Sequence, residues 1–304
     1  MSYRLVTYAA AAGPRAGVVI GDEVFDAAKL TGRTGDATVL GLLDDWAAAA
    51  ERLGKAAPAP GTGERLAGVR LLAPIRWPSA IYCAGANYAD HAAEMARLHN
   101  RPPEPDPHTL GLKPWHFIKA GRSTLAAPDD TIAISALSKT MDWEIELAAV
   151  IGRTAKNVAV EQALDHVAGY TIANDLSARD MGRRPHVPDA SPFKFDWVAH
   201  KNFDGSCPLG PWIVPAGDIR DPQKLGLKLW VNDVIKQDSN TAQMIFTIAE
   251  QIAHLSSRIT LNPGDVILTG TPSGVGAARQ EFLVGGDVVR LWIEHIGTLV
   301  NRMA

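Results

Sequence analysis

The sequence predicts an α+β protein, mainly β, with a small β/α unit at its N-terminus. Three observations predict this class. Short apolar runs of strand length, such as Val18-Val19-Ile20 and Val266-Ile267-Leu268, recur along the chain beside Gly, Pro, Asn or Asp. Acid and apolar residues alternate through Asp142-Trp143-Glu144-Ile145-Glu146-Leu147, and strand side chains point to opposite faces with period two. Helical spacing is confined to a few stretches, notably residues 38–52, 89–98 and 242–256.

With 304 residues and 46% hydrophobic composition, the chain has apolar material for a sizeable core. A formal net charge of -3 and the lack of any Lys/Arg run argue against a nucleic acid or an anionic membrane surface as partner. No stretch approaches a transmembrane span, and the opening residues break too soon, at Gly13-Pro14, to form a signal sequence. The two cysteines, Cys83 and Cys207, have no metal-ligand spacing. They predict buried, reduced thiols in a cytoplasmic protein, with a disulfide as the alternative.

In chain order, residues 3–8 and 16–26 predict short strands, the latter folded into a hairpin at Gly21-Asp22. Leu40, Leu43, Trp46 and Ala50 predict a helix over 38–52, and the Pro/Gly tract 55–63 is a connector. These observations put a domain boundary near residue 70, dividing 1–70 from 71–304. A buried strand at 79–85 leads into a helix over 89–98, where His91 and Glu94 share a face. The Pro-rich stretch 99–115 predicts a lid-like loop. Phe117 to Ser123 reads as a strand that carries Lys119, whose simplest role is to snorkel out of an apolar run. A short helix at 161–167 precedes a strand, 168–175, that delivers Asp175 at its end. Arg179 and Asp180 are spaced to pair with each other. Residues 225–231 form a strand closed by the turn Asn232-Asp233. Met244, Ile248, Ile252 and Leu255 predict the core face of a helix over 242–256, capped by Asn240 or Thr241. The stretch 269–276 is a glycine-rich turn without the Lys of a phosphate loop, and its amides suit a substrate carboxylate. The strand 288–293 closes the fold.

The acidic alternation puts Asp142, Glu144 and Glu146 on one strand face, and the apolar run beyond them takes this strand into the interior. Buried carboxylates repel one another and lose solvation, so a positive charge belongs there. A divalent cation with hard oxygen ligands fits, and Asp175 is the candidate third ligand beside Glu144 and Glu146. Taken alone, an E-x-E pattern better suits a solvated strand face, and it is the partners elsewhere in the chain that shift the balance. The His91/Glu94 pair has two readings also, an incidental surface pair or an imidazole oriented by a carboxylate for proton transfer. Lys201, flanked by His200 and Phe203, suits a partly desolvated cation near an anion.

In order along the chain stand Gly85-x-Asn87-Tyr88-x-x-His91-x-x-Glu94, Phe117-x-Lys119, Asp142-Trp143-Glu144-x-Glu146-Leu147, Asn174-Asp175-x-Ser177-Ala178-Arg179-Asp180, Lys201-x-Phe203-Asp204, Pro263-Gly264-Asp265 and Thr269-Gly270-Thr271-Pro272-x-Gly274-Val275-Gly276. Together they resemble the fumarylacetoacetate hydrolase family over residues 78–300. The resemblance implies a mixed β-sheet roll, usually dimeric, with Mg²⁺ (or Mn²⁺, Ca²⁺) held by Glu144, Glu146 and Asp175. It implies catalysis by His91, Glu94 and Lys201, and substrate contacts at Tyr88, Lys119, Gly270 and Thr271. The chain departs from the pattern at Gly182, where relatives usually carry Gln, at His200, where a small residue is common, and at His295, where Gly is expected.

For function, the resemblance implies a metal-dependent hydrolase that cleaves a C–C bond in an acylpyruvate-like oxo acid through a stabilised enolate. The alternative within the same chemistry is an isomerase, decarboxylase or hydratase of a related 2-oxo diacid. A non-catalytic oxo acid sensor is a rival of another class, and it predicts a broken dyad or a missing lysine, whereas His91, Glu94 and Lys201 are all present.

Overall fold

The computed structural model describes residues 2–304. Its largest sheet is mixed, and it runs in the order Glu64–Arg65, Glu23–Asp26, Gly13–Ile20, Arg4–Ala10, Cys207–Pro215, Val167–Asn174, Ile145–Ile151, Val266–Leu268, Ile81–Ala84, His116–Lys119. Neighbours along this path are antiparallel except Val266–Leu268 with Ile81–Ala84. The hairpin at Gly21-Asp22 forms as expected, with Ile20 opposite Glu23 and Gly21 at φ 61°. The N-terminal strands continue the main sheet through Leu5 opposite Ile213.

A second sheet orders Val234–Asn240, Gly226–Val231, Val288–Ile293, Gly297–Met303 and Thr131–Ile132. The strand 288–293 is therefore not the last, because the chain turns back through His295 at φ 62° and pairs again. That left-handed conformation is why glycine is expected at this position. Between the sheets lies the principal core, in which Ile145, Leu147 and Ile172 meet Leu227, Leu229 and Leu291. On the far face of the main sheet, Ala148, Val150 and Leu268 pack against Leu42, Leu43 and Leu53 of the N-terminal helices. Every residue of Ile145–Ile151 is buried, so an acid at the end of this strand has apolar packing on both sides. Truncating Leu147 to Ala costs on the order of 2–5 kcal/mol at such a site.

Three helical segments differ from expectation. The stretch 38–52 is split into Val39–Asp44 and Trp46–Lys55 at Asp45, where the backbone leaves helical geometry, and Trp46 comes to lie over Gly152. The core helix starts late, as Ile248–Arg258, because Thr247 and Glu250 form a reciprocal capping box there. Met244 precedes it in extended backbone and bridges Tyr88, while Asn240 caps only a short 3-10 turn. The expected helix at 161–167 is also 3-10, over Val160–His166. Cys83 and Cys207 are free and buried. Among the described residues, no helix is long and apolar enough to cross a membrane.

Candidate active site and metal centre

The acidic alternation does not form one strand. Met141–Asp142 pairs with Ser177–Ala178 in a separate ribbon, and the chain breaks before Ile145–Ile151 joins the main sheet. Asp142 consequently leaves the face expected for it. Its carboxylate accepts the Gly276 amide at 2.6 Å, the Ala277 amide at 3.0 Å and Arg179 Nε at 2.8 Å. Glu144 and Glu146 stay together. Ile145–Ile151 runs antiparallel to Val167–Asn174, with Ile145 opposite Asn174, so the start of one strand meets the end of the other. The Asp175 amide donates to the Glu144 carbonyl at 2.9 Å. One oxygen each from Glu144, Glu146 and Asp175 lies within 4.8 Å of the others, and all three residues are buried.

Cations crowd around these acids. Lys201 Nζ donates to Asp175 Oδ2 at 2.6 Å and to Glu144 Oε2 at 2.8 Å. Arg179 also donates to Glu144, not to Asp180, which instead accepts from Ser138 and the Lys139 amide. Burial works against ionisation of Glu144, but Lys201 and Arg179 overcome it and hold the carboxyl down to about 2. For Lys201 burial opposes the charge too, and Asp175 and Glu144 raise its pKa further above the ordinary range. Glu146 goes the other way: burial, then Asp175 and Glu144, push its pKa well up. The cluster thus holds more carboxylate than its lysines satisfy. Asp175 Oδ1 is a buried oxygen without a hydrogen bond. Lys119 Nζ lies 2.9 Å from it, but donates its protons to the carbonyls of Leu176, Lys201 and Ser206. Three buried hard oxygen donors brought within 4.8 Å of one another fit a divalent cation.

His91 and Glu94 lie on the helix Ala89–Leu98, with His91 Nδ1 3.5 Å from Glu94 Oε2. That is a loose contact, as is common for catalytic pairs without ligand. Glu94 is fixed by the Gly274 amide, at 3.0 and 2.9 Å from its two oxygens. Burial opposes its charge, while His91 and the Gly274 amide lower its pKa below the ordinary value. His91, Glu144, Glu146, Lys201 and Thr271 all line one cavity of about 170 Å³, which Trp115 of the loop helps to wall. A Cβ on Gly85 would overlap the Trp115 ring, so only glycine permits this approach.

Three expected substrate contacts lie elsewhere. Lys119 has no exposed surface and is committed to backbone carbonyls behind Asp175, so it neither snorkels nor reaches the cavity. Tyr88 is fully buried in the principal core. The Gly270 amide donates to Glu146 Oε2 at 2.5 Å, which positions the acid and leaves no donor for substrate. Thr271 does face the cavity.

Sequence reasoning missed the residues that lock these segments together. Gln237 donates to Thr271 Oγ1 and the Pro272 carbonyl, each at 2.9 Å, and accepts from the Ile145 amide at 3.0 Å. Asp90 accepts from Ser239 Oγ at 2.6 Å, tying the start of the His91 helix to the second sheet. Gln237 stands within the polar run Lys236-Gln237-Asp238-Ser239-Asn240, where nothing local marks it out, and Asp90 has no signal either.

A sequence model described as Fumarylacetoacetate (FAA) hydrolase C-terminal matches residues 80–304. Over 235 residues, the chain is 44% identical to the oxaloacetate tautomerase fahd2, mitochondrial, of Xenopus laevis, covering 77% of this chain and 68% of that one. A maleylpyruvate hydrolase from Sphingobium sp. SYK-6, solved in complex with manganese (II) ion and pyruvate, superposes with a TM-score of 0.72 at 32% identity, over 99% of this chain and 98% of that one. A 2-hydroxyhepta-2,4-diene-1,7-dioate isomerase from Mycobacterium marinum superposes with a TM-score of 0.71 at 32% identity, covering 100% and 98%.

Proposed function

The chain belongs to the fumarylacetoacetate hydrolase family, and from that premise we propose that it is a divalent-metal-dependent enzyme that tautomerises a 2-oxo diacid such as oxaloacetate. The observation that carries this reading is the placement of His91, backed by Glu94, on the same cavity as Glu144 and Glu146. A divalent ion held by Glu144, Glu146 and Asp175 supplies Lewis acidity and an anchor for an oxo acid head group. Mg²⁺ and Mn²⁺ both suit such a donor set.

His91 is the group placed to move a proton on and off the carbon next to the oxo group. In the enol-to-keto direction the neutral imidazole takes the proton of the enol hydroxyl and the resulting imidazolium returns it to that carbon, so the ring ends as it began. Glu94, held by the Gly274 amide, stands beside the ring and orients it. Lys201 keeps its charge next to Glu144 and Asp175, so it serves as a fixed positive charge near the developing enolate and not as an acid. Trp115 forms part of the cavity wall. One proton shuttle suffices for tautomerisation.

C–C hydrolysis of an acylpyruvate is the second reading, supported by the likeness to the maleylpyruvate hydrolase. In it His91 activates water. The test is an assay of Mn²⁺- or Mg²⁺-loaded protein, following decay of enol-oxaloacetate absorbance beside hydrolysis of an acylpyruvate panel. Metal-dependent loss of the enol without pyruvate release supports tautomerisation; pyruvate release from acylpyruvates supports hydrolysis. No metal-dependent turnover of either class sinks both.

A further inference from the structure

His200 is 7% exposed and lines the cavity with His91, Glu144 and Lys201. Neither of its ring nitrogens has a hydrogen-bond partner. An imidazole buried this far ordinarily finds one, because an unmade hydrogen bond in the interior is costly. The charged Lys201 and Arg179 share its lining without bonding to it, and aromatic rings cover its faces. Phe195 meets the ring edge-on at 5.7 Å between centroids, and Trp197 lies tilted at 5.7 Å. Gly182 completes the enclosure: a Cβ there would stand 2.9 Å from His200 Cγ and 3.0 Å from its Cβ. Those are atoms near the root of the side chain, which cannot swing aside, so the ring keeps its place only while residue 182 has no side chain.

The other polar groups of the lining are largely committed. Lys201 serves Glu144 and Asp175, Arg179 serves Asp142 and Glu144, and Thr271 Oγ1 accepts from Gln237. His91 faces Glu94. The His200 ring packs with its aromatic neighbours, but neither nitrogen is used within the protein.

We propose that His200 is a specificity-determining residue, whose imidazole N–H binds an acceptor oxygen on the tail of the substrate, with Gly182 as the glycine that makes room for it. This rests on the reading of the cavity as a metal-dependent oxo acid site. The head group is common to all such substrates, so His200 selects among tails and favours one that carries a carboxylate or carbonyl oxygen.

The test compares oxalate, which is a head group alone, with N-oxalylglycine, a head group that bears a carboxylate tail and does not enolise. Both are titrated calorimetrically into Mn²⁺-loaded protein. His200→Phe keeps the aromatic packing and removes both nitrogens. It is expected to bind oxalate as the wild type does and N-oxalylglycine about tenfold more weakly, the loss typical of one hydrogen bond to a carboxylate. His200→Gln restores part of that affinity. Gly182→Ala, which keeps the nitrogens but displaces the ring, shows the same selective loss. Stabilisation by Mn²⁺ without either probe reports that the acidic cup of each variant is intact. Equal affinities of His200→Phe and wild type for N-oxalylglycine overturn the inference alone. A wild type that binds neither probe overturns the oxo acid reading and the inference with it.

Discussion

Lys201 Nζ lies 2.6 Å from Asp175 Oδ2, a buried ion pair between a helix and the end of a sheet strand, and the same ammonium reaches Glu144 at 2.8 Å. Each partner is at most 5% exposed. Breaking such a pair from one side leaves carboxylate uncompensated in the interior, at a cost on the order of 3–5 kcal/mol. Lys201→Met is expected to lower stability by about that amount in chelator-treated protein. Added Mn²⁺ should recover part of it by replacing the lost positive charge. Denaturant unfolding with and without metal measures both effects, and an unchanged midpoint without metal contradicts the pairing.

Glu146→Gln separates the metal site from the fold. Glu146 is the acid whose ionisation the cluster opposes, so a neutral amide of nearly the same shape relieves repulsion. The variant is expected to be as stable as wild type without metal. Wild type should gain about 2.7 kcal/mol at a metal concentration one hundred times Kd, and the variant should lose most of this gain. Melting temperatures across a Mg²⁺ or Mn²⁺ series report the difference.

For the dyad, His91→Ala is expected to lower kcat by roughly 10²–10⁴, the range for loss of a positioned acid or base. Stabilisation by Mn²⁺ should persist, since the imidazole is not among the clustered oxygens. Glu94→Gln should fall in the same direction by a smaller factor, because Gly274 still holds the side chain while its charge is gone. Full turnover in His91→Ala removes the proton-transfer assignment.

The loop that carries Trp115 is fastened by an imidazole between two carboxylates. His108 Nε2 is 2.9 Å from Glu250 and Nδ1 is 3.0 Å from Asp106, and the ring packs tilted on Phe246 at 4.6 Å. Hydrogen bonds from Glu250 and Asp106 raise its pKa above the ordinary 6.5. A raised pKa in the fastened state means that the contact is fully present below the ordinary value and is lost as pH rises through the raised one. Amide exchange over residues 99–115 is therefore expected to quicken as pH climbs past that point, after correction for the intrinsic rate. His108→Ala should exchange fast throughout, and an identical pH profile in this variant removes the latch.

Much of the site was legible because it depends on strand period and strand ends. Glu144 and Glu146 are two apart and Asp175 follows an apolar run, so local pattern made each a candidate, and the family resemblance joined the three. Asp142 belongs to the same alternation, yet its position depends on the break before Ile145 and on amides at Gly276 and Ala277, which no local pattern records. Lys119 was misplaced for a related reason: backbone carbonyls satisfy it, and a carbonyl has no sequence signature. Thr247 and Glu250 did carry one, the spacing of a capping box, and reading it would have started the core helix at its observed position. In the fold, the short strands were legible from pattern, and the mixed character of the sheet came from the family resemblance. The final pairing of Gly297–Met303 was not, because it turns on a left-handed His where glycine is the usual cue.

Gly85 has a different kind of importance from the acids. It holds no charge and makes no bond to a substrate, but its bare α-carbon is the seat on which the indole of Trp115 rests. One added methyl group would unseat the roof of the cavity while every charged side chain beneath it stayed put. The wall of the cavity and the chemistry within it are thus set at separate positions.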